Sequence, residues 1–152
     1  MARPGFLVIT VVACLVGMAS AAACGCGFAP GRAAATLGLA LLAHAAANMR
    51  NDHADAVSGA DAANVEGVFP FTGGSRLVQQ CVVQAQDMRH LAIALLMLVV
   101  PGGLWLAVQS GAGLVLLGLM GVLLGWAYSA PPLALMSRGV GELAVAVAWG
   151  LM

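Results

Sequence analysis

The chain has 152 residues, of which 62% are hydrophobic and only 8% are charged, and its formal net charge at pH 7 is zero. A soluble domain is nearer half apolar, with about a quarter of its residues charged. This composition therefore argues against an ordinary soluble enzyme and predicts an integral membrane protein. The absence of net positive charge also argues against nucleic acid as a partner, because nucleic-acid binding calls for a basic patch.

The uncharged stretches of the sequence predict about five membrane-spanning helices, since an apolar helix needs about 20 residues to cross a bilayer. These spans are expected at residues 5–24, 33–49, 89–108 and 112–128, and a fifth begins near Gly139. A turn is expected at residues 109–111, and the Pro101-Gly102-Gly103 sequence is expected to kink the third span rather than end it. The predicted fold class is all-α, a multi-pass transmembrane helical bundle.

The arginines predict how these spans are oriented. Five of the six lie on one side of the predicted membrane, which the positive-inside rule assigns to the cytoplasm: Arg3, Arg50, Arg76, Arg89 and Arg138. The N-terminus and the loops 50–88 and 129–138 are then cytoplasmic, and a cell inner membrane is the expected location. The small residues 19–23 after an apolar stretch are also typical of a cleavable signal peptide, although the later spans favour a retained helix.

Polar and acidic residues are concentrated at 48–61, which we call the acidic segment. It contains four of the twelve formally charged side chains of the chain. Asn48, Asp52 and Asp55 are spaced i, i+4, i+7 and would share one face of a helix. Carboxylates are costly in or near lipid, so such a cluster is a functional-site hypothesis. The alternative is a solvated polar loop between two spans.

The ligand types in the acidic segment indicate a hard cation. Mg²⁺ typically takes one or two carboxylates plus the phosphates of a substrate. Gly59 can turn the chain so that Asp61 folds back towards the helix, and Asn51 forms a second i, i+4 pair with Asp55. His53 is off the face of the carboxylates and is not expected to be a ligand. His44, inside the second span, is expected to be packed and hydrogen-bonded.

Residues 71–76 of the same cytoplasmic loop are a candidate anion site. Two glycines followed by Ser75 and Arg76 can form a nest of backbone N–H groups that binds phosphate. The signal is weak alone, but its position on the side of the acidic segment raises its weight.

The third candidate segment follows the fourth predicted span, which the Pro131-Pro132 pair is expected to end. Tyr128 precedes this pair and Arg138 follows it. Arg138 either faces a diphosphate or pairs with Glu142, four residues further on.

Three motifs thus occur in order. They are Asn48-x-x-Asn-Asp-x-x-Asp-x-x-x-Gly-x-Asp61, the Thr-Gly-Gly-Ser-Arg sequence ending at Arg76, and Tyr128-Ser-x-Pro-Pro-Leu continuing to Arg138-Gly-x-Gly-Glu142. Together they resemble the intramembrane aromatic prenyltransferases of the UbiA superfamily. The Tyr-Ser-x-Pro-Pro-Leu segment tilts the resemblance towards the 1,4-dihydroxy-2-naphthoate polyprenyltransferases (MenA-type) of menaquinone biosynthesis.

The resemblance implies a Mg²⁺-dependent enzyme that transfers a polyprenyl group from polyprenyl diphosphate to an aromatic acceptor, 1,4-dihydroxy-2-naphthoate, beside membrane lipid. It assigns catalysis to Asn48, Asp52 and Asp55, the metal to Asp52, Asp55 and Asp61, and substrate binding to Asn51, Ser75, Arg76, Tyr128 and Arg138. Members of the family have about nine spans and a second Asp-rich motif on a later helix pair. Residues 1–152 are therefore expected to form one prenyltransferase domain that is incomplete at its C-terminus and inactive in isolation.

Three other functions stay open at this point. The first is a related prenyltransferase that uses another acceptor, such as 4-hydroxybenzoate or a chlorophyll-type ring. The second is a membrane transporter with an acidic cation site, although a transporter is expected to carry its ionisable groups near mid-membrane. The third is a structural membrane subunit.

Overall fold

The computed structural model describes residues 4–68 and 75–150, and this part of the chain is helical without a β-strand. The predicted all-α class is therefore confirmed. The helices are α1 (Pro4–Ala23), α2 (Pro30–Ser58), α3 (Ala60–Ala63), α4 (Ala85–Ser110), α5 (Gly113–Ser129) and α6 (Gly141–Gly150), with a 3₁₀ turn at Leu135–Arg138. The chain forms two compact units, Met1–Leu106 and Ala107–Met152. The single prenyltransferase domain stays a prediction.

Two of the described helices are long and apolar enough to cross a membrane, at Gly5–Ala23 and Ala85–Ser110. Helix α5 is also apolar, but it is only 17 residues long. Helix α2 falls short because the apolar residues of its first half are mostly alanine and are interrupted by Arg32 and His44. The five predicted spans are thus not confirmed: two helices pass by length and composition.

Helix α1 packs along α2. Thr10 is buried on α1, and its Oγ1 atom lies 2.6 Å from Nδ1 of His44 on α2, within hydrogen-bonding distance. The packed, hydrogen-bonded role predicted for His44 is therefore confirmed. Helix α1 ends at Ala23. Gly25 follows it, and its φ of +76° is the left-handed conformation that closes a Schellman turn. In this turn the N–H of Gly25 donates to Ala22 O and the N–H of Cys26 donates to Ala21 O, each at 3.1 Å.

Helix α2 is continuous for 29 residues, or about 43 Å at 1.5 Å per residue. Pro30 occupies its first turn, where a missing N–H costs nothing. Gly59, with φ +79°, ends it. The predicted second span stopped at residue 49 because Arg50 ends the apolar stretch. The helix itself continues to Ser58, since residues 50–58 contain no glycine or proline.

The core of the first unit lies beside the acidic segment. Met49, Met88 and Ala92 are buried together, and four half-buried side chains pack against them: Leu77, Val78, Val83 and Leu95. The turn at residues 75–84 is thereby packed against both α2 and α4. Helix α4 continues through Pro101, as predicted.

The second unit consists of α5, the 3₁₀ turn and α6. Ser129 and Ala130 are buried at the end of α5. Gly141 begins α6 so close to its neighbours that a Cβ atom there would lie 3.0 Å from the Cα atom of Met136. This unit also has an open apolar cavity of about 330 Å³, lined by Leu124, Leu135, Val140, Leu143, Ala144 and Val147.

Candidate functional site

The polar half of α2 brings four of the predicted site residues onto one helix face. An α-helix turns by about 100° per residue. Asn48, Asn51, Asp52 and Asp55 therefore fall within about 100° of arc, and we call them the α2 polar face. The predicted sharing of one face is confirmed, because residues 48–58 are helical rather than a solvated loop.

The two carboxylates of the α2 polar face differ in their surroundings. Asp52 is only 2% exposed, and its Oδ2 atom is itself buried. Asp55 is half-buried, and its Oδ2 atom accepts a hydrogen bond from the side-chain amide of Asn51. A buried carboxylate is costly unless other groups or a cation stabilise it. Asp52 is thus a buried carboxylate on a helix face that also carries Asp55.

Asp61 lies on the short helix α3, beyond the turn that Gly59 makes. It is 7% exposed, and its Oδ2 atom accepts a hydrogen bond from Nε2 of Gln79 at 3.1 Å. The sequence reasoning predicted the turn at Gly59 but missed Gln79. No periodicity links residues 61 and 79, because they do not lie on one helix.

His53 joins α2 to the beginning of α4. Its Nδ1–H group donates a hydrogen bond to the carbonyl oxygen of Ala85, the first residue of α4, at 2.8 Å. As predicted, it is off the α2 polar face: at about 100° per residue it is roughly 100° from Asp52 and 160° from Asp55. It therefore fixes the helix that carries the carboxylates.

Ser75 and Arg76 form the described end of the candidate anion site, whose residues 71–74, including both glycines, lie outside the described residues. Ser75 is half-buried. The guanidinium of Arg76 donates a hydrogen bond to the carbonyl oxygen of Asn64, and its backbone has φ +53°. Arg76 thus ties the beginning of the turn at residues 75–84 to the end of α3.

Tyr128 and Arg138 belong to the second unit. Tyr128 is half-buried, and its ring lies beside Gly141, where a Cβ would be 3.4 Å from Cε2. Arg138 donates a hydrogen bond to the carbonyl oxygen of Pro132 at 2.6 Å. The i, i+4 argument for pairing Arg138 with Glu142 does not apply, because Gly139, at φ +75°, ends the 3₁₀ turn before α6 begins. The two side chains are therefore not on one helix.

The residues of the α2 polar face have the donor chemistry of a magnesium site. Mg²⁺ prefers oxygen ligands and needs only one or two carboxylates when a phosphate supplies the others. Asp52 and Asp55, with the amides of Asn48 and Asn51, meet that requirement. Within the described residues no three His, Cys, Asp or Glu side chains stand close enough together to hold a metal. The three-carboxylate set that includes Asp61 therefore stays a prediction.

The site geometry is thus one polar helix face, a buried carboxylate and three hydrogen bonds that hold the surrounding segments. Two further predicted residues lie in the second unit. No protein-family model, curated protein or solved structure matches the chain.

Proposed function

We propose that the protein is a multi-pass inner-membrane prenyltransferase that transfers a polyprenyl group from polyprenyl diphosphate to an aromatic acceptor. One observation carries the proposal: Asp52 is buried on the polar face of a helix whose first half is apolar. A charge in that position is costly. It is justified where a cation and an anionic substrate meet at the membrane surface.

The residues of the α2 polar face would bind and orient the diphosphate. Mg²⁺ held by Asp52 and Asp55 would neutralise charge on the diphosphate and make it a better leaving group. The Asn51 amide fixes the carboxylate of Asp55 through its hydrogen bond. Asn48, one turn before Asp52, adds an amide that can donate to a phosphate oxygen.

Two arginines, with Ser75 and Tyr128, are proposed as substrate ligands. A guanidinium has five N–H donors. Arg76 and Arg138 each use one nitrogen on a backbone carbonyl, which leaves donors for charge-assisted hydrogen bonds to diphosphate oxygens. Their carbonyl bonds would also restrict the side chains before substrate binds.

The proposed acceptor is 1,4-dihydroxy-2-naphthoate, from the resemblance of the segment that begins at Tyr128. The electron-rich ring of this acceptor would attack the allylic carbon as the diphosphate leaves. The acceptor would then lose its carboxylate as carbon dioxide. The site would face the cytoplasm, and the polyprenyl tail would lie in the membrane.

The metal-ligand assignment is tested with the full-length protein reconstituted in nanodiscs. Asp52→Asn and Asp55→Asn are nearly isosteric, so they should abolish prenyl transfer while membrane insertion is kept. Glu66→Gln is the matched control, because Glu66 is an exposed acid of the same cytoplasmic loop. Near-normal turnover in either aspartate variant would contradict the assignment.

The acceptor is tested separately. The full-length protein is supplied with a polyprenyl diphosphate and, in parallel reactions, with dihydroxynaphthoate, 4-hydroxybenzoate or a chlorophyll-type ring, with and without Mg²⁺. Of the three acceptors, only dihydroxynaphthoate is expected to give a product, and only with Mg²⁺ present. Product from another acceptor would keep the reaction class and change the substrate.

A cation transporter is the second candidate, and one observation favours it. Thr10, which is buried, and His44, which is half-buried, form a polar contact between two helices of the first unit, and His44 lies within the second predicted span. Ionisable groups within the membrane are typical of transport pathways. The test is cation flux in proteoliposomes. The transporter would be favoured over the enzyme if the protein carries cations, if Thr10→Val abolishes this flux, and if the protein shows no prenyl transfer.

A further inference from the structure

Asp61 is held by a residue that no motif of the chain includes. Its carboxylate is 7% exposed and accepts a hydrogen bond from Nε2 of Gln79 at 3.1 Å. Helix α3, which carries Asp61, has only four residues. So short a helix does little to fix the direction of a side chain, because isolated helices of this length are not stable on their own. The position of Asp61 therefore depends on its surroundings.

The segment that carries Gln79 is well placed to act as a support. Leu77 and Val78, its immediate neighbours, pack against the buried core of Met49, Met88 and Ala92. The turn is closed by hydrogen bonds, from the N–H of Cys81 to Val78 O at 3.0 Å and from the N–H of Val82 to Leu77 O at 2.9 Å. Gln79 thus extends its amide from a packed turn towards α3.

The chemistry of the donor also matters. A lysine or arginine in place of Gln79 would neutralise the carboxylate and compete with a cation for it. A neutral amide orients the carboxylate and leaves its negative charge in place. Carboxylates that serve metals are typically held in this way by hydrogen-bond donors outside the coordination sphere.

We propose that Gln79 is a positioning residue, which orients Asp61 so that its negative charge supports the binding of a divalent cation and diphosphate beside the α2 polar face. The inference rests on the proposed function. Mg²⁺ usually keeps several of its water ligands. Asp61 can therefore bind one of these waters and need not coordinate the ion directly.

The experiment uses the full-length protein in nanodiscs, with Mn²⁺ as a spin probe in the presence of a non-reactive farnesyl thiodiphosphate. Binding is followed by electron paramagnetic resonance. Gln79→Met keeps the length of the side chain and removes the donor. The matched control is Gln80→Met, because Gln80 is exposed and makes no side-chain hydrogen bond in the described part of the chain.

The expected result is a 10–100-fold weaker affinity for Mn²⁺ in Gln79→Met, the range typical of lost supporting hydrogen bonds at metal ligands, and no change in Gln80→Met. In an Asp61→Asn background the Gln79→Met substitution should have no further effect, since Gln79 acts through Asp61. A merely structural role would instead lower thermal stability equally in both backgrounds.

The outcomes separate this inference from the proposed function. If the unmodified protein binds no Mn²⁺ with the thiodiphosphate, the proposed function fails and the inference with it. If it binds Mn²⁺, and Gln79→Met binds with the same affinity, only the role of Gln79 is overturned. An equal loss of affinity in the Asp61→Asn background would also overturn it, because Gln79 would then act by another route.

Discussion

Gly102 and Gly103, adjacent in α4, should respond differently to the same substitution. A Cβ atom on Gly102 would lie 2.6 Å from Cδ2 and 3.0 Å from Cδ1 of Leu39 on α2, whereas a Cβ on Gly103 would have nothing within 4 Å. Real Cβ atoms essentially never approach within 3.0 Å of another heavy atom. Gly102→Ala therefore forces Leu39 to move, and Gly103→Ala does not disturb its surroundings.

The magnitude follows from two terms. Alanine is favoured over glycine inside a helix by about 0.8–1.0 kcal/mol, and this gain applies to both variants. Overpacking typically costs about 1–3 kcal/mol, and it applies only to Gly102→Ala. The low end is expected, because the clashing atoms are the far end of a flexible side chain. Gly103→Ala should thus be stabilised by about 1 kcal/mol, while Gly102→Ala should be close to neutral.

The measurement is the free energy of unfolding of both variants in mixed micelles titrated with a denaturing detergent. Leu39→Ala should be combined with each substitution, since a double-mutant cycle isolates the contact. Coupling between Leu39→Ala and Gly102→Ala is expected, and none with Gly103→Ala. Equal stabilisation of the two glycine variants would refute the α2–α4 packing described above.

Three other substitutions test the structure elsewhere. Cys81 has φ +56° at the same position of a Schellman turn that Gly25 occupies after α1. Cys81→Gly should therefore stabilise the protein by about 1 kcal/mol and Gly25→Ala should destabilise it by a similar amount, as measured by detergent unfolding. Gly141→Ala would place a Cβ 3.0 Å from a backbone atom, which cannot move as Leu39 can. Thermal denaturation should show a loss of about 1–3 kcal/mol; an unchanged midpoint would contradict the contact. Thr10→Val removes the hydrogen bond to a histidine on α2 and should lower the free energy of unfolding by about 1–3 kcal/mol. An unchanged free energy of unfolding would contradict this contact.

The local features of the fold could be predicted from the sequence because they depend on neighbouring residues. The apolar stretches at 5–24 and 89–108 correspond to α1 and α4. The chain turns between α4 and α5 at residues 111–112, two residues later than the start of the predicted turn at 109–111. The end of helix α2 does not coincide with the end of the predicted second span, and the reason is physical. Charge ends an apolar stretch, whereas only a residue such as Gly59 ends the helix.

The α2 polar face was predictable for the same reason, since i, i+4, i+7 spacing is a property of one helix. The contacts that surround it were not. His53 reaches Ala85 across 32 residues, and Gln79 reaches Asp61 across 18. Such contacts depend on how residues far apart in the sequence pack together, and neither periodicity nor composition reveals that packing.

The unbroken course of α2 gives the Ala45–Ala47 run between His44 and Asn48 an unexpected role. One extra alanine there would rotate everything after it by about 100° and shift it by about 1.5 Å, which would carry Asp52 out of register with the core while His44 kept its place against α1. Seven extra residues would restore the rotational phase to within about 20° but move the carboxylates by about 10 Å. The run is therefore a spacer whose length sets both the rotational phase and the axial position of the carboxylates relative to His44.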